Sequence, residues 1–568
     1  LYHNLLFKVY AMKKSTQICN TLYVVALTFT ANAWAVGGAE STDRPSATPP
    51  ARPAYLTEKP GFTLPVLPNT NTISPNREKM VIERYAFSGN TIFSESELQQ
   101  LTTPYLNRTV RIDELEELRQ QITRYYIQRG YINSGARIPQ NALRGGVLHF
   151  EIVEGKLDDI QIHGQGRLRE GYIKNRLKVD ADAPLNVNEL QDKFQLLLVD
   201  PLISGMKGNL LPSAHSNRSV LDVEVTRARP YQISLFSNNY RPPSIGSEAG
   251  GISSWVRNLT GFGDLLDFTF QGSEGSLQYS GGWRVPVFDQ GTQAYVNFTE
   301  GDSLVIESPT DKLDIKSQVH NIEAGISHPI IESLKRKLTI GSSFAIRQND
   351  TTLLGRPFSF IAGDDSGHTQ ATVVRFYQEH IERMDKQVLA LRSTFSVGLN
   401  VLGSTAQTNP NNPSSEFFAW LGQGQYAHHV LDNGAQVVLR GNVQLSNDSL
   451  LPLERMAVGG VNTVRGYREN QLVRDEGFAS NLEFHYPLLG EPNASHTLTL
   501  IPFVDYGAAW NKNESANYLY STGVGLNWKF SKLNTEFYWA HKIESPQINT
   551  HSNLQDEGIH FQVKLDAF

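Results

Sequence analysis

Hydrophobic positions follow two different rhythms along this chain. Between residues 79 and 228, short alternating runs are interleaved with apolar residues at helical spacing. Val81–Phe87 predicts a strand ended by Ser88-Gly89-Asn90, and Ser94–Leu101 a short helix with acidic residues near its start. Ile112, Leu115, Leu118, Ile122 and Tyr126 fall on one helical face that ends at Gly130, and Leu148, Phe150 and Ile152 alternate along a strand that stops at Glu154-Gly155. The plan then repeats. Leu157–Ile162 leads into His163-Gly164-Gln165, Leu190, Phe194 and Leu197 mark a helix face, and Leu221, Val223 and Val225 alternate along a closing strand. Two small α/β units are therefore expected, 79–155 and 156–228, each small but large enough for a core of its own.

From residue 229 to 568 helix faces disappear and period-2 runs take over, with Gly and Asn between them. Leu266, Phe268 and Phe270 oppose Asp267 and Thr269; Val437, Leu439, Val443 and Leu445 oppose Arg440, Asn442 and Gln444. Thr522–Phe530 and Ile559–Leu565 continue the pattern. Successive strand side chains point to opposite faces, so one face of each run is apolar and the other polar, which is how a membrane β-barrel hides its membrane signal. Sixteen antiparallel strands would each take about 21 residues with their connection, which suits a span of ~9–11 residues plus a turn. After Tyr467 five strands are expected, 476–488, 496–510, 518–530, 534–543 and 558–568, joined by connections that run short, longer, short, longest. Inner turns of such barrels are short and outer loops long, so Gly459–Tyr467 belongs to an outer loop, the sixth outer loop if the barrel has sixteen strands. The eleven strands before it are less legible, because 300–320 and 403–415 read as loops or frayed strand ends.

One acidic residue breaks the apolar scheme. In 498–507, Leu498, Leu500, Val504 and Tyr506 share a face, while Thr499, Phe503, Asp505 and Gly507 share the other; in 479–486, Ser480, Leu482, Phe484 and Tyr486 oppose Asn481, Glu483 and His485. A carboxylate facing lipid is unfavourable, so Asp505 is expected in the lumen, where a planar guanidinium is its best-matched partner. Arg465 in the preceding loop can supply it, and Gly466 beside it permits the positive φ of a tip turned back into the barrel. The competing reading makes Arg465 a solvated loop residue and Asp505 a pore-lining acid.

Val464-Arg465-Gly466-Tyr467 and Phe503-x-Asp505-x-Gly507 resemble the two signature motifs of the Omp85/TpsB superfamily of outer-membrane transporters. The resemblance implies that the loop tip folds into the barrel and that its arginine meets the strand aspartate. It also implies that the two α/β units are POTRA modules (polypeptide-transport-associated) placed in the periplasm. The fold expected is then a 16-stranded antiparallel membrane β-barrel preceded by two POTRA modules, with Phe568 as a C-terminal assembly signal. Phe568 shares parity with Asp566 and Lys564 rather than with Val563 and Leu565, and a bulge near the end would correct this.

Composition fits an exported protein. Mean hydropathy is -0.33, and Met12–Ala35 has leader anatomy: Lys13 and Lys14, the apolar Leu22–Phe29, and Ala33-Trp34-Ala35 for cleavage. Residues 1–11 read as an upstream extension of that leader. Removing 1–35 takes Lys8, Lys13 and Lys14 from 51 basic residues against 57 acidic ones, leaving a net charge of -9 and no hint of nucleic-acid binding. Cys19, the single cysteine, leaves with the leader, which excludes disulfides, structural zinc and thiol catalysis. Eight prolines make 36–78 a linker in which no long helix fits, so the plug helix found in many TpsB transporters is not evident there.

Nucleophile elbows, zinc-protease helices and phosphate-binding loops are absent from the sequence. No catalytic residue, cofactor or metal is therefore expected; His428 and His429, adjacent on a strand, would point to opposite faces. The resemblance implies export of one large β-helical TpsA-type partner (a cytolysin, an adhesin or a contact-dependent toxin) across the outer membrane, with outer-membrane lipid and the barrel-assembly machinery as further partners. The alternatives are an insertase of the same superfamily, a passive porin and a surface enzyme. Insertases usually carry three or more POTRA units, and a porin has no use for 150 periplasmic residues.

Overall fold

The computed structural model describes residues 79–568 except 181, 289–290, 360, 362–363, 408, 410–411, 491–493, 544–552 and 568. The expected leader, the proline-rich linker and the proposed assembly signal Phe568 lie outside the described residues.

The first α/β unit places Arg84–Ser88 parallel to Val147–Val153, which pairs antiparallel with Gly135–Arg137. Helices Glu95–Thr102 and Ile112–Ile127 cover the sheet. The first helix begins where it does because the Ser94 side chain accepts the Glu97 N–H while Glu97 accepts the Ser94 N–H. That hydroxyl contact holds the Glu97 carboxyl below its ordinary range. Leu115, Leu118, Ile122 and Tyr126 pack against Tyr85, Leu148, Phe150 and Ile152. The buried Tyr126 hydroxyl donates to Glu154 Oε1 at 3.0 Å, and burial with that neighbouring carboxylate pushes the phenol well above its usual value. The single strand expected over Val81–Phe87 is two pieces, Lys79–Val81 and Arg84–Ser88. Between them Ile82 turns fully inward and the Glu83 N–H bonds the Gly146 carbonyl.

The second unit repeats the topology. Lys156–His163 runs parallel to Arg218–Arg227, which pairs antiparallel with Ile203–Pro212. Helices Glu170–Leu177 and Val187–Leu198 pack on it. This unit docks on the first inner turn of the barrel: the Arg169 guanidinium lies 3.5 Å from the Phe262 ring centre, the Arg169 N–H donates to Gly261 O at 3.0 Å, and Arg257 Nη1 donates to Pro201 O at 3.1 Å.

Sixteen antiparallel strands then close a cylinder. In order they are Tyr231–Asn238, Ala249–Arg257, Leu265–Ser273, Ser276–Pro286, Gln293–Leu304, Lys316–Glu332, Arg336–Leu353, His368–Arg383, Gln387–Leu399, Phe417–His429, Gln436–Ser446, Glu476–Leu489, His496–Trp510, Asn517–Phe530, Leu533–Lys542 and Ile559–Asp566. The two-residue Arg356–Pro357 adds a small ribbon to the end of the seventh. First and last strands pair from Ser234↔Asp566 to Asn238↔Gln562. Eleven strands precede the Arg465 loop and five follow it. Residues 300–320 resolve into the end of one strand, a connection and the start of the next, and the described residues of 403–415 belong to the connection between the ninth and tenth strands.

Pairing of the last strand runs without a register shift through Leu565 on one side and Asp566 on the other, and Asp566 faces inward to accept from Gln232 and Ser234; the bulge expected nearer Phe568 lies outside the described residues. Elsewhere the two faces behave as the alternation demands. Phe268, Phe298, Ile322, Ile326, Phe376 and Val504 are exposed on the outside, while Arg347, Arg375, Gln444, Glu483 and Asp505 are buried inside. No helix among the described residues is long and apolar enough to cross a membrane.

Candidate functional site in the barrel lumen

The connection between the eleventh and twelfth strands does not project outward. It folds back into the cylinder, where its residues meet the wall. Gly459 and Gly460, with φ of +113° and +100°, turn the chain, and the Gly460 N–H closes a small loop on the Val464 carbonyl at 3.1 Å. The Asn481 side-chain amide donates to Thr463 O, and Val461 N–H donates to Glu469 Oε1 at 2.7 Å, so the tip is held in shape from within and from the wall.

Arg465 then lies side-on to Asp505. Its Nε donates to Asp505 Oδ2 at 2.8 Å, its Nη2 to Oδ1 at 2.7 Å, and its backbone N–H adds a third bond to Oδ2 at 3.0 Å. Both side chains are almost fully excluded from solvent, at 2% and 0%. The face of the guanidinium rests 3.5 Å from the Phe503 ring centre and 5.0 Å from that of Tyr538. Gly507 has a different task. A Cβ there would come within 2.6 Å of Val458 and 2.7 Å of Val464, so the strand must be bare where the loop presses on it. Gly466, at φ +90°, is excluded from other residue types twice over, since a Cβ would also meet Ala540 at 2.9 Å. Its N–H donates to His560 Nε2 at 3.1 Å, which fixes that ring nitrogen as an acceptor. Val464 and Tyr467 are fully buried, and the Tyr467 hydroxyl donates to Tyr520 O at 2.9 Å. Each residue singled out in the two motifs is thus brought to one place.

Three contacts escaped the sequence reading. Glu483 is a second carboxylate on the same arginine: its Oε1 lies 2.8 Å from Arg465 Nη1, off the hydrogen-bond line, and its Oε2 accepts from Arg440 at 2.6 Å. The signal was available, because Asn481 pairs with Asp505 and Glu483 sits two residues along the same lumenal face. Arg468 binds Asp556 at 2.6 Å and Glu307 at 2.9 Å, tying the loop to the eighth and third outer connections. Glu454, on the loop's incoming arm, meets Arg347 and Arg375. Loop residues carry no periodicity, so nothing in the pattern revealed what Arg468 and Glu454 would touch.

A closed outer-membrane-type barrel, α/β modules on its inner side and an outer loop latched in its lumen by an arginine define a class: transporters built to pass a polypeptide. The sequence signature of the family described as haemolysin secretion/activation protein ShlB/FhaC/HecB matches residues 217–530, and that of the ShlB-type POTRA domain matches 80–155. The chain belongs to this family, the outer-membrane pores of two-partner secretion. It is similar to the outer membrane transporter CdiB of Dickeya dadantii, 23% identical over 78% of each chain, and to the heme/hemopexin transporter HuxB of Haemophilus influenzae, 21% identical over 76% of this chain and 77% of that one. Among solved structures, CdiB from Escherichia coli superposes with a TM-score of 0.65 at 19% identity, covering 88% of this chain and 93% of that one. BamA from Haemophilus ducreyi lacking POTRA domains 1–3 gives 0.52 at 13% identity, over 86% and 100%, which is a likeness of fold.

Proposed function

We propose that this chain exports a single large β-helical partner of the TpsA type, a cytolysin, adhesin or contact-dependent toxin, and that the sixth loop is the resting plug of the path. The observation that carries the reading is the Arg465–Asp505 pair, buried, bidentate and placed where an open channel would otherwise run. Two α/β units stand before the barrel, and we read the second, like the first, as a POTRA module. Their sheets end in edge strands, Arg84–Ser88 and Gly135–Arg137 in the first and Lys156–His163 and Ile203–Pro212 in the second, to which an extended client segment can add by main-chain hydrogen bonds. No nucleotide site is needed, because folding of the client outside the cell biases its movement outward. The chain itself is inserted by the barrel-assembly machinery. An insertase role is less well supported, since the matching family is one of secretion proteins.

The test is deletion of 79–228 in cells that make the cognate partner. The shortened chain should still insert as a heat-modifiable barrel but leave the partner in the periplasm. Undiminished export would overturn the module reading.

A further inference from the structure

The loop is held at a second place, far from its tip. Glu454 lies on the incoming arm, eight residues after the eleventh strand ends at Ser446, and is buried to 3%. Arg375 Nη2 donates to both of its carboxylate oxygens at 2.8 Å, Arg347 Nη1 donates to Oε1 at 2.9 Å, and the same Nη1 bonds the Leu453 carbonyl. Arg347 belongs to the seventh strand and Arg375 to the eighth, while the tip's partners Glu483 and Asp505 sit on the twelfth and thirteenth. The two anchors therefore grip different sectors of the wall, five strands apart. Gln444 on the eleventh strand supports the base by donating to Glu454 O at 2.9 Å and to Asp475 O at 3.1 Å, holding both arms of the loop together.

We propose that Glu454, Arg347 and Arg375 form a second latch, which seats the base of the sixth loop independently of the Arg465 tip, and that withdrawal of the loop uncovers the two arginines as a basic strip on the wall of the export path. Glu454 is a positioning residue: it acts on the path through the loop that carries it. Two guanidiniums face one carboxylate, and Glu323 on the sixth strand, opposite Ala345, is a further acid on the same lumenal face. Once Glu454 leaves, the strip carries net positive charge and offers a planar, bidentate site to carboxylates passing along the lumen. On the thirteenth strand the same withdrawal uncovers Asp505, while Glu483 stays paired with Arg440, so the open path is positive on one side and carries a bare carboxylate on the other.

Planar bilayers with the purified full-length protein in a potassium chloride gradient test this. Glu454→Gln should raise the frequency of openings by at least about tenfold, the effect of losing hydrogen bonds to a charged group, and shift the reversal potential toward chloride. Glu454→Asp, which keeps the charge, should stay close to the parent in both. Adding Arg347→Gln and Arg375→Gln to Glu454→Gln should cancel the chloride shift and leave the frequent openings. A Glu454→Gln channel that opens as rarely as the parent, or opens often with unchanged selectivity, overturns the proposal. If Glu454→Gln gives no heat-modifiable barrel, Arg347→Gln decides, since it leaves a one-to-one Arg375–Glu454 pair. Openings several-fold above the parent support the latch, and parental behaviour refutes it.

Discussion

Replacing Arg465 by Gln should do more harm than replacing Asp505 by Asn, and the structure gives the reason. All three hydrogen bonds to Asp505 come from Arg465, two from the side chain and one from the backbone. Arg465→Gln leaves a fully buried carboxylate with one backbone donor, while Glu483 keeps Arg440 and His485. Removing one member of a buried pair costs about 3–5 kcal/mol, which would lower the ratio of seated to released loop by roughly two to three and a half powers of ten. Asp505→Asn strands no charge on the wall, because Arg465 still has Glu483 2.8 Å away; its cost should be about 1.5–3 kcal/mol. The double variant should therefore resemble Asp505→Asn and be better than Arg465→Gln alone. The assay is labelling of Asn462→Cys at the half-buried tip by a membrane-impermeant maleimide in whole cells, with Cys19 lying in the expected leader. A tip in Arg465→Gln that labels no faster than in the parent, or a double variant whose effect is the sum of the singles, would refute the reasoning.

Other outcomes follow from neighbouring contacts. Gly507→Val should drive Val458 and Val464 off the wall and open the channel in bilayers without preventing barrel insertion, so a closed, heat-modifiable Gly507→Val barrel counts against the packing account. In the first α/β unit the carboxyls of Glu97, bonded to Ser94, and Glu116, bonded to Arg119, are held below their ordinary values. Depressed carboxyls stabilise the folded unit above pH 4.5 and lose that contribution as pH falls through their lower folded values. Amide protection in residues 95–127 should accordingly drop below pH 4.5, and Glu97→Gln should flatten the drop; a pH profile unchanged by that substitution would contradict it. Ser94→Ala should cost about 0.5–2 kcal/mol in urea unfolding of the same unit.

How much of this was legible beforehand depends on whether a segment faces two different solvents. The last five strands could be placed within a residue or two because lipid outside and a polar lumen inside impose strict alternation on them. The sixth and seventh strands run 17 and 18 residues, well beyond the ~9–11 needed to span. Their outer halves meet water on both faces, as the polar contacts of Gln318 with Asp302 and of Ser317 with Asn349 illustrate, so the pattern fades there and 300–320 read as loop or frayed strand ends. In the second α/β unit, Glu170–Leu177 buries only Ile173 and Leu177, and Ile203–Pro212 carries Gly205 and Gly208, too little periodicity in either to announce itself. The Arg465–Asp505 meeting was foreseeable because an acid on a lumenal face demands a cation and Arg465 stands in the loop before it. The meeting of Glu454 with Arg347 and Arg375 was not, because lumenal arginines on long strands can equally be solvated.

The account rests on the sixth loop lying inside the cylinder and having to yield for export. Val464→Cys with Gly507→Cys measures this most directly, in a Val458→Ala background that relieves the 2.6 Å clash. Val464 Cγ2 lies 2.7 Å from where a Cβ on residue 507 would stand, within reach of a disulfide. The pair should cross-link in intact cells, halt secretion of the partner while oxidised and release it on reduction. Failure to cross-link, or secretion that continues through the fully cross-linked protein, would contradict the account.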